Sequence, residues 1–408
     1  MKRSENFKEI RAKYDFFDGI TFIAILALSA LGVLMVFSIT GTSIFNNREG
    51  NRLSYMMHSA TGVLLGFLAM SIMTIVPNRL FRGRLGALIL LVTTIILVIT
   101  PIFGQDVPSS PGVYRWLTIP GIITFQAVDL ARIGFTLSLP WIIQWLVSRR
   151  LYYSKKLLSY WLIPLGYVGL CTLLILQQPD LGSAIIIFFT GIIVFLSSGI
   201  GMKQSLVLLL PATIILVFAV ILGVYFFDLF LELLPVYQMD RIQVWLDPFS
   251  HDFGRQSVMG FVSIALGGWT GVGLGKSTQA LGFAIEPHTD LIVTILAEEL
   301  GLIAVIIVMM LYFLVAIRCF LVALKARDVY SALVCIGIGA FFLTQPLVNL
   351  AGASGLIPLS GVTLPLISYG MTSKVSTFVL IGIYFNMRRH ILIDVEKNEQ
   401  SKKRALAE

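Results

Sequence analysis

The sequence predicts an all-α integral membrane protein of ten transmembrane helices, and three observations carry that prediction. The first is composition: of 408 residues, 57% are apolar and only 13% are charged, with a mean hydropathy of +0.89. A water-soluble domain carries about 25% charged residues, so this surface is built to face lipid. The second is that ten stretches reach the roughly 20 mostly apolar residues a spanning helix needs. They are 19–40, 56–76, 83–103, 128–148, 158–178, 182–200, 204–230, 289–317, 329–350 and 364–387. The third is the placement of the 30 basic residues. With both termini in the cytoplasm, most of them fall on the inner side, among them Arg79, Arg82 and Arg84, Arg149 and Arg150, and Arg388 and Arg389. The outer loops keep only Arg48, Arg52, Arg115, Arg241, Arg255 and Lys276. That bias is the positive-inside signature of a multi-pass protein of the cytoplasmic membrane.

The elements follow in order. Residues 1–18 form a charged cytoplasmic segment that runs into an apolar stretch too long for a signal peptide, so no cleavage is expected. Residues 19–387 form the membrane domain. Within it, helices five and six are separated only by Gln178, Pro179, Asp180 and Leu181, which makes them a tight hairpin. Two outer segments exceed an ordinary connection: Gly104 to Ala127, and a loop of about 231–288 between helices seven and eight. Acidic residues gather in the second, namely Glu232, Asp240, Asp247, Asp252 and Glu286, with Asp290 at its edge. Its apolar stretch Val258 to Leu266 predicts that it packs back onto the bundle as a re-entrant or interfacial cap. Residues 388–408 form a basic cytoplasmic tail.

Several function classes fall away. The net charge of +8 is a topology signal, because it sits on the inner side, and no nucleic-acid partner is expected. Cys171, Cys319 and Cys335 lie in or beside apolar runs and offer neither a disulfide framework nor a metal site. His58, His251, His288 and His390 are far apart and show no ligand spacing. The run Gly271-Val-Gly-Leu-Gly-Lys276-Ser277 imitates a nucleotide-binding loop, but that motif needs a glycine where Thr270 stands, and the segment lies outside. A glycine-rich turn with one outward lysine is the better reading, and Lys276 could still meet a phosphate on a lipid.

Ionisable side chains inside the hydrocarbon region cost at least about 2.5–3.5 kcal/mol each, so they are candidates for function. They are Asp129 with Arg132, Glu298 with Glu299, and Lys374. Asp129 and Arg132, three apart, share a helix face and can pair; a purely structural pair is the competing reading. Glu298 follows Asp290 by a little over two turns on nearly the same face, whereas Glu299 points about 100° away. Asp290 by itself reads as a carboxylate at a helix N-terminus, which is common and favourable.

Taken together, four motifs resemble one family. They are Gly112-Val-Tyr-Arg-Trp-Leu117 with Phe125-Gln126, Gln178-Pro-Asp-Leu-Gly-Ser183, Pro287-His-Thr-Asp290 with Glu298-Glu-Leu-Gly301, and Gly361-Val-Thr-Leu-Pro-Leu-Ile-Ser-Tyr-Gly370. In order, along essentially the whole chain, they resemble the shape, elongation, division and sporulation (SEDS) family that contains RodA and FtsW. Gly271–Ser277 and Gly355–Pro365 look most like the division-type FtsW of low-GC Gram-positive bacteria. Three departures stand out: Ser-Tyr-Gly is followed by Met371-Thr-Ser-Lys374, Ile285 precedes Glu286 in place of proline, and Ala127-Val128 replace Pro-Ser.

The resemblance implies a peptidoglycan glycosyltransferase that polymerises lipid II at the outer face, for cell division or cell shape. It also implies a class B penicillin-binding protein as partner, within a divisome or elongasome. The family's essential aspartate maps onto Asp290, its Arg-Trp pair onto Arg115 and Trp116, and its first glutamate of the Glu-Glu pair onto Glu298. Its acid–base spacing survives as Asp129 and Arg132. On this reading Asp290 is the general base. Arg115, Trp116, Arg132, Asp129, Glu298, Lys276, Asp180 and His288 form the substrate-binding set. No tightly bound cofactor is expected, although a divalent cation, magnesium or manganese, could share the pyrophosphate. Two other classes compete: a lipid II flippase or transporter with Asp129, Arg132 and Glu298 along a polar pathway, and a non-catalytic scaffold that activates a penicillin-binding protein.

Overall fold

Helix α1 (Gly19–Ile39) starts where Asp18 can cap it, the carboxylate accepting from the Thr21 amide at 3.4 Å. One flank buries Ile25, Leu28 and Val36, while Ile20, Ile23 and Leu26 stay exposed. Exposed aliphatics of this kind are tolerated in lipid. The same pattern repeats on α2 (Arg52–Ile75) and α3 (Arg84–Phe103). The structure, a computed structural model, describes residues 18–40, 52–107, 110–119, 123–149, 157–199, 236–251, 254–279 and 289–405.

The remaining elements are α4 (Ala127–Ser148), α5 (Leu157–Leu176), α6 (Leu181–Leu196), α7 (Val236–Leu246), α8 (Arg255–Gly267), α9 (Ile292–Ala323), α10 (Val329–Ala353) and α11 (Met371–Ala405). Among the described residues, six helices are long and apolar enough to cross a membrane: α1, α2, α3, α4, α9 and α10. Shorter apolar helical stretches are Tyr160–Leu176 within α5 and Leu181–Leu196, which is α6. The chain is therefore a multi-pass membrane protein. The expected seventh span, 204–230, lies outside the described residues, as do residues 1–17 and His288. One core joins α1, α9, α10 and α11, and a second joins α4, α5 and α6.

The all-α expectation needs correction. Three strands, β1 (Gln105–Val107), β2 (Ser110–Ile119) and β3 (Ile123–Gln126), form an antiparallel sheet in the order β1-β2-β3. The reason is local: Val113-Tyr-Arg-Trp-Leu-Thr-Ile119 and Ile123-Thr-Phe125 are rich in the β-branched and aromatic residues that favour a pleated surface. The fold is mostly helical with one small sheet. The expected tenth helix also starts later than 364, at Met371. Pro365 and the left-handed Leu366 (φ 66°) keep 364–370 out of a helix, and the helix then continues through the tail to Ala405.

Part of the long loop is helical, as α7 and α8. α8 buries Gly260, Ser263 and Gly267 and lies along α9. Beyond it, the chain inserts into a break in α9 at Gly301 (φ 83°, ψ 171°). The Val272 and Gly273 amides donate to the Glu298 and Glu299 carbonyls, each at 2.9 Å. In return, the Leu302 and Ile303 amides donate to the Gly268 and Trp269 carbonyls at 3.0 and 3.3 Å. The broken helix thus keeps its backbone bonded, as a low-dielectric site demands. Only glycine suits position 301, because a methyl there would lie 2.3 Å from the Trp269 carbonyl oxygen.

Beyond its break at Gly301, α9 runs from Leu302 to Ala323, about 33 Å at 1.5 Å per residue, roughly the depth of a bilayer core. At its C-terminal end, Arg318 pairs with Asp18 at 2.8 Å, Arg388 lies 4.0 Å from Asp18, and the Tyr384 hydroxyl donates to Asp18 at 3.0 Å. Residue 18 and the start of the tail therefore share one face. At the N-terminal end stand Asp290 and the sheet.

Candidate active site

Asp290 sits in the turn that leads into α9, and its backbone is held from two sides. The Asn349 side-chain amide donates to the Asp290 carbonyl at 3.0 Å. The Ser368 hydroxyl donates to the Thr289 carbonyl at 2.7 Å, and itself accepts from the Leu364 amide at 2.7 Å. The Thr-Leu-Pro-Leu-Ile-Ser-Tyr-Gly stretch is thus a brace for the aspartate.

Arg115 comes from the middle of β2 and is buried, with Nη2 donating to the Pro179 carbonyl at 3.0 Å. That carbonyl belongs to the tight hairpin between α5 and α6. Its Asp180 caps α6 by accepting from the Ser183 amide at 3.0 Å and accepts from Gln126 Nε2 at 3.4 Å. Arg241, on α7, donates to the Leu359 carbonyl. Gly361 (φ 69°) reveals where these groups meet. A methyl placed on it would lie 3.2 Å from Arg115 Nη1, 3.3 Å from Asp290 Oδ2 and 3.8 Å from Arg241 Nη2. One carboxylate and two guanidiniums therefore converge on one point.

Two positive groups against one negative group favour an anion, and guanidinium forks match phosphate oxygens in geometry. The same set suits a metal ion poorly. Among the described residues, no three His, Cys, Asp or Glu side chains stand together, and the one carboxylate is flanked by cations. Sequence reasoning missed Arg241; its only signal was being one of a few basic residues in an outer loop.

Strand alternation separates the Arg-Trp pair. Arg115 turns inward, and Trp116 takes the opposite face of the sheet, half-buried, with its backbone paired to Gln126 and Gln105.

Asp129 and Arg132 form a second, buried cluster on α4. Arg132 Nη1 lies 3.2 Å from Asp129 Oδ1 and donates to Gln345 Oε1 at 3.3 Å, while Nη2 donates to Ser183 Oγ at 3.5 Å. Thr372 donates to Asp129 Oδ2 at 3.2 Å, and the guanidinium lies over the Phe341 ring at 5.5 Å.

Glu298, expected beneath Asp290, is engaged by the glycine-rich turn. Its carboxylate accepts from Ser277 Oγ (2.6 Å), the Thr278 amide (2.7 Å) and Thr278 Oγ1 (2.9 Å). Glu299 accepts from Ser38 Oγ on α1 at 2.7 and 2.9 Å. The two glutamates do serve different partners, and both bind structure that surrounds the glycine-rich turn. Lys276 projects from that turn, exposed. Lys374 is buried at the α2–α11 seam, donating to Ser59.

The comparisons with known proteins agree on one family. A family model described as cell cycle protein, for FtsW, RodA and SpoVE, matches residues 19–392. The probable peptidoglycan glycosyltransferase FtsW of Coxiella burnetii is 31% identical over 374 residues, covering 90% of this chain and 95% of that protein. The peptidoglycan glycosyltransferase MrdB of Escherichia coli K12 is 30% identical, covering 91% and 94%. The probable peptidoglycan glycosyltransferase FtsW of Lactococcus lactis is 30% identical, covering 95% of each. Two solved structures share the fold. A chain of a peptidoglycan synthase complex superposes with a TM-score of 0.71 at 23% identity, covering 92% of this chain and 98% of that one. Thermus thermophilus RodA gives 0.62 at 20% identity, covering 91% and 97%. With a match that runs from the first residue of α1 to just past Arg389, and with its motifs folded around one aspartate, this chain belongs to the FtsW/RodA/SpoVE family.

Proposed function

We propose that the chain is a peptidoglycan glycosyltransferase that polymerises lipid II into glycan strands at the outer face of the cytoplasmic membrane, in cell division or cell-shape maintenance. The observation that carries this reading is the convergence of Asp290, Arg115 and Arg241 on Gly361. Relatives of both the FtsW and the MrdB kind, at 30–31% identity, bear the activity in their names. The fold is read as ten spans with the 231–288 loop between the seventh and eighth, and with both termini in the cytoplasm.

The reaction needs a base for an alcohol and cations for a pyrophosphate. The GlcNAc O4 hydroxyl of one lipid II attacks C1 of the terminal MurNAc of the growing chain. The C1–O bond to undecaprenyl pyrophosphate breaks, and its electron pair leaves on the pyrophosphate. Asp290 takes the hydroxyl proton, a step worth about 10²–10⁴ in rate. α-Linked donor and β-linked product call for a single displacement with one base and no covalent intermediate. Arg115 and Arg241 face the charge that develops on the leaving group. They flank the carboxylate, so a pyrophosphate that engages them frees Asp290 for the hydroxyl. Trp116 is available to a sugar on the other face of the sheet. A class B penicillin-binding protein is the partner that would cross-link the product, a pairing supported by the likeness to a chain of a synthase complex.

The test is polymerisation of lipid II by purified protein with that partner. The parent gives long glycan chains and folded Asp290→Asn gives none; normal polymerisation by the variant sinks the base assignment. The buried Asp129–Arg132 cluster favours a second reading, lipid II transport. It predicts lipid movement in proteoliposomes without glycan synthesis. A scaffold role predicts an intact phenotype for Asp290→Ala.

A further inference from the structure

We infer that Asn349 and Gln345 are positioning residues, a pair of carboxamides on α10 that hold the 360–363 turn in register with Asp290 and with Arg132. The inference rests on the glycosyl-transfer reading of Asp290. The two residues are four apart, so they lie one above the other on one helix face. Both are buried, where an unpaired amide N–H is costly, and in both the amide nitrogen is paired, while Asn349 Oδ1 has no partner among the described residues. Each makes its bonds to the chemistry-bearing segments and not to its own helix. Asn349 Nδ2 donates to the Val362 carbonyl at 2.6 Å and to the Asp290 carbonyl at 3.0 Å. Gln345 Nε2 donates to the Thr363 carbonyl at 2.6 Å, while its Oε1 accepts from Arg132 Nη1 at 3.3 Å.

One amide therefore fixes the distance between the backbone that carries Asp290 and the turn that carries Gly361. The next amide fixes the same turn to the Asp129–Arg132 cluster. Gly361 is where the carboxylate and the two guanidiniums meet. A slip of about 1 Å there misaligns base and acceptor, and misplacements of that size cost on the order of 100-fold in rate. The same clamp links the two polar clusters. A shift of Arg132 is passed to the 360–363 turn through a single side chain.

The experiment measures kcat and KM for lipid II with the full chain and a class B penicillin-binding protein of its source organism. The variants are Asn349→Leu, which keeps bulk and loses both donors, Asn349→Ser, which keeps one donor, and Gln345→Met. Melting and monodispersity in detergent are recorded for each. The expected result for Asn349→Leu is a 10–100-fold lower kcat with KM within twofold, and a smaller loss for Asn349→Ser. Gln345→Met gives a loss of the same kind. A folded variant with unchanged kcat overturns the inference, and so does a raised KM at unchanged kcat or a loss that only tracks the folded fraction. If Asn349→Leu does not fold, Asn349→Ser decides by the same criteria. Activity in Asp290→Asn measured alongside would instead overturn the underlying base assignment, so the two failures are distinguishable.

Discussion

Arg115 and Asp290 approach Gly361 together, one from the middle strand of the sheet and the other from the turn before α9, with their side-chain atoms 3.2 and 3.3 Å from where a methyl group would stand. Gly361→Ala is therefore expected to damage the site twice. The methyl intrudes between the charged groups, and the left-handed backbone (φ 69°) costs about 1–2 kcal/mol for a residue with a side chain. Lipid II polymerisation should fall by about 100-fold while the protein still purifies as a folded species.

Arginine at 115 and 241 is not expected to be exchangeable with lysine, because an ammonium cannot present a planar fork to two phosphate oxygens. Arg115→Lys and Arg241→Lys should each lower kcat/KM by about 10²–10³, the scale of losing one donor to a developing anion. Since both act on one leaving group, the double variant should lose less than the product of the two. Steady-state kinetics on lipid II checks both statements.

Glu298 should behave as an anchor for the glycine-rich turn. Its three bonds to Ser277 and Thr278 are charge-assisted, and Glu298→Ala leaves the buried Ser277 hydroxyl unpaired and frees Thr278, at a cost of about 1–3 kcal/mol. Proteolysis within 268–279 should then precede global unfolding. Gly301→Ala should destabilise at least as much, because a methyl there would press on the Trp269 carbonyl oxygen.

Asp18 predicts an acid limb in stability. Burial pushes its carboxyl up, but the bonds from Arg318, Thr21 and Tyr384 outweigh it, and the group is held below the usual carboxylate range. A folded-state value below the unfolded one stabilises above about pH 4, and that contribution is lost as pH falls through the folded-state value. Asp18→Asn should cost about 1–3 kcal/mol at neutral pH. It should also flatten the fall in melting temperature between neutrality and acid.

The membrane class, six of the spans and the motif series were legible from residues alone. Apolar runs such as Gly19–Ile39 and Val329–Ala353 have no other stable environment, and the 20-residue length is imposed by the bilayer. Asp290 and Arg115 stood out as candidates because short motifs carry them. The sheet stood out less, since β1 and β3 are only three and four residues long and β2 carries Pro111 and Gly112 at its start. Glu298 was legible as a buried acid on the first turns of α9, but helical spacing could not show that Ser277 and Thr278 would arrive at its carboxylate.

Sequence by itself determined which residues must leave water and which charges are too costly to bury without purpose. Local period and composition act over a few turns of chain, so they are written in neighbouring residues. Only the tertiary structure decided that Arg241 joins Arg115 and Asp290 at Gly361, that Glu298 holds Ser277 and Thr278, and that Asn349 and Gln345 tie the 360–363 turn to both polar clusters. Those relations depend on how separate helices cross and on which backbone groups arrive unpaired at the same place. No spacing along the chain encodes them.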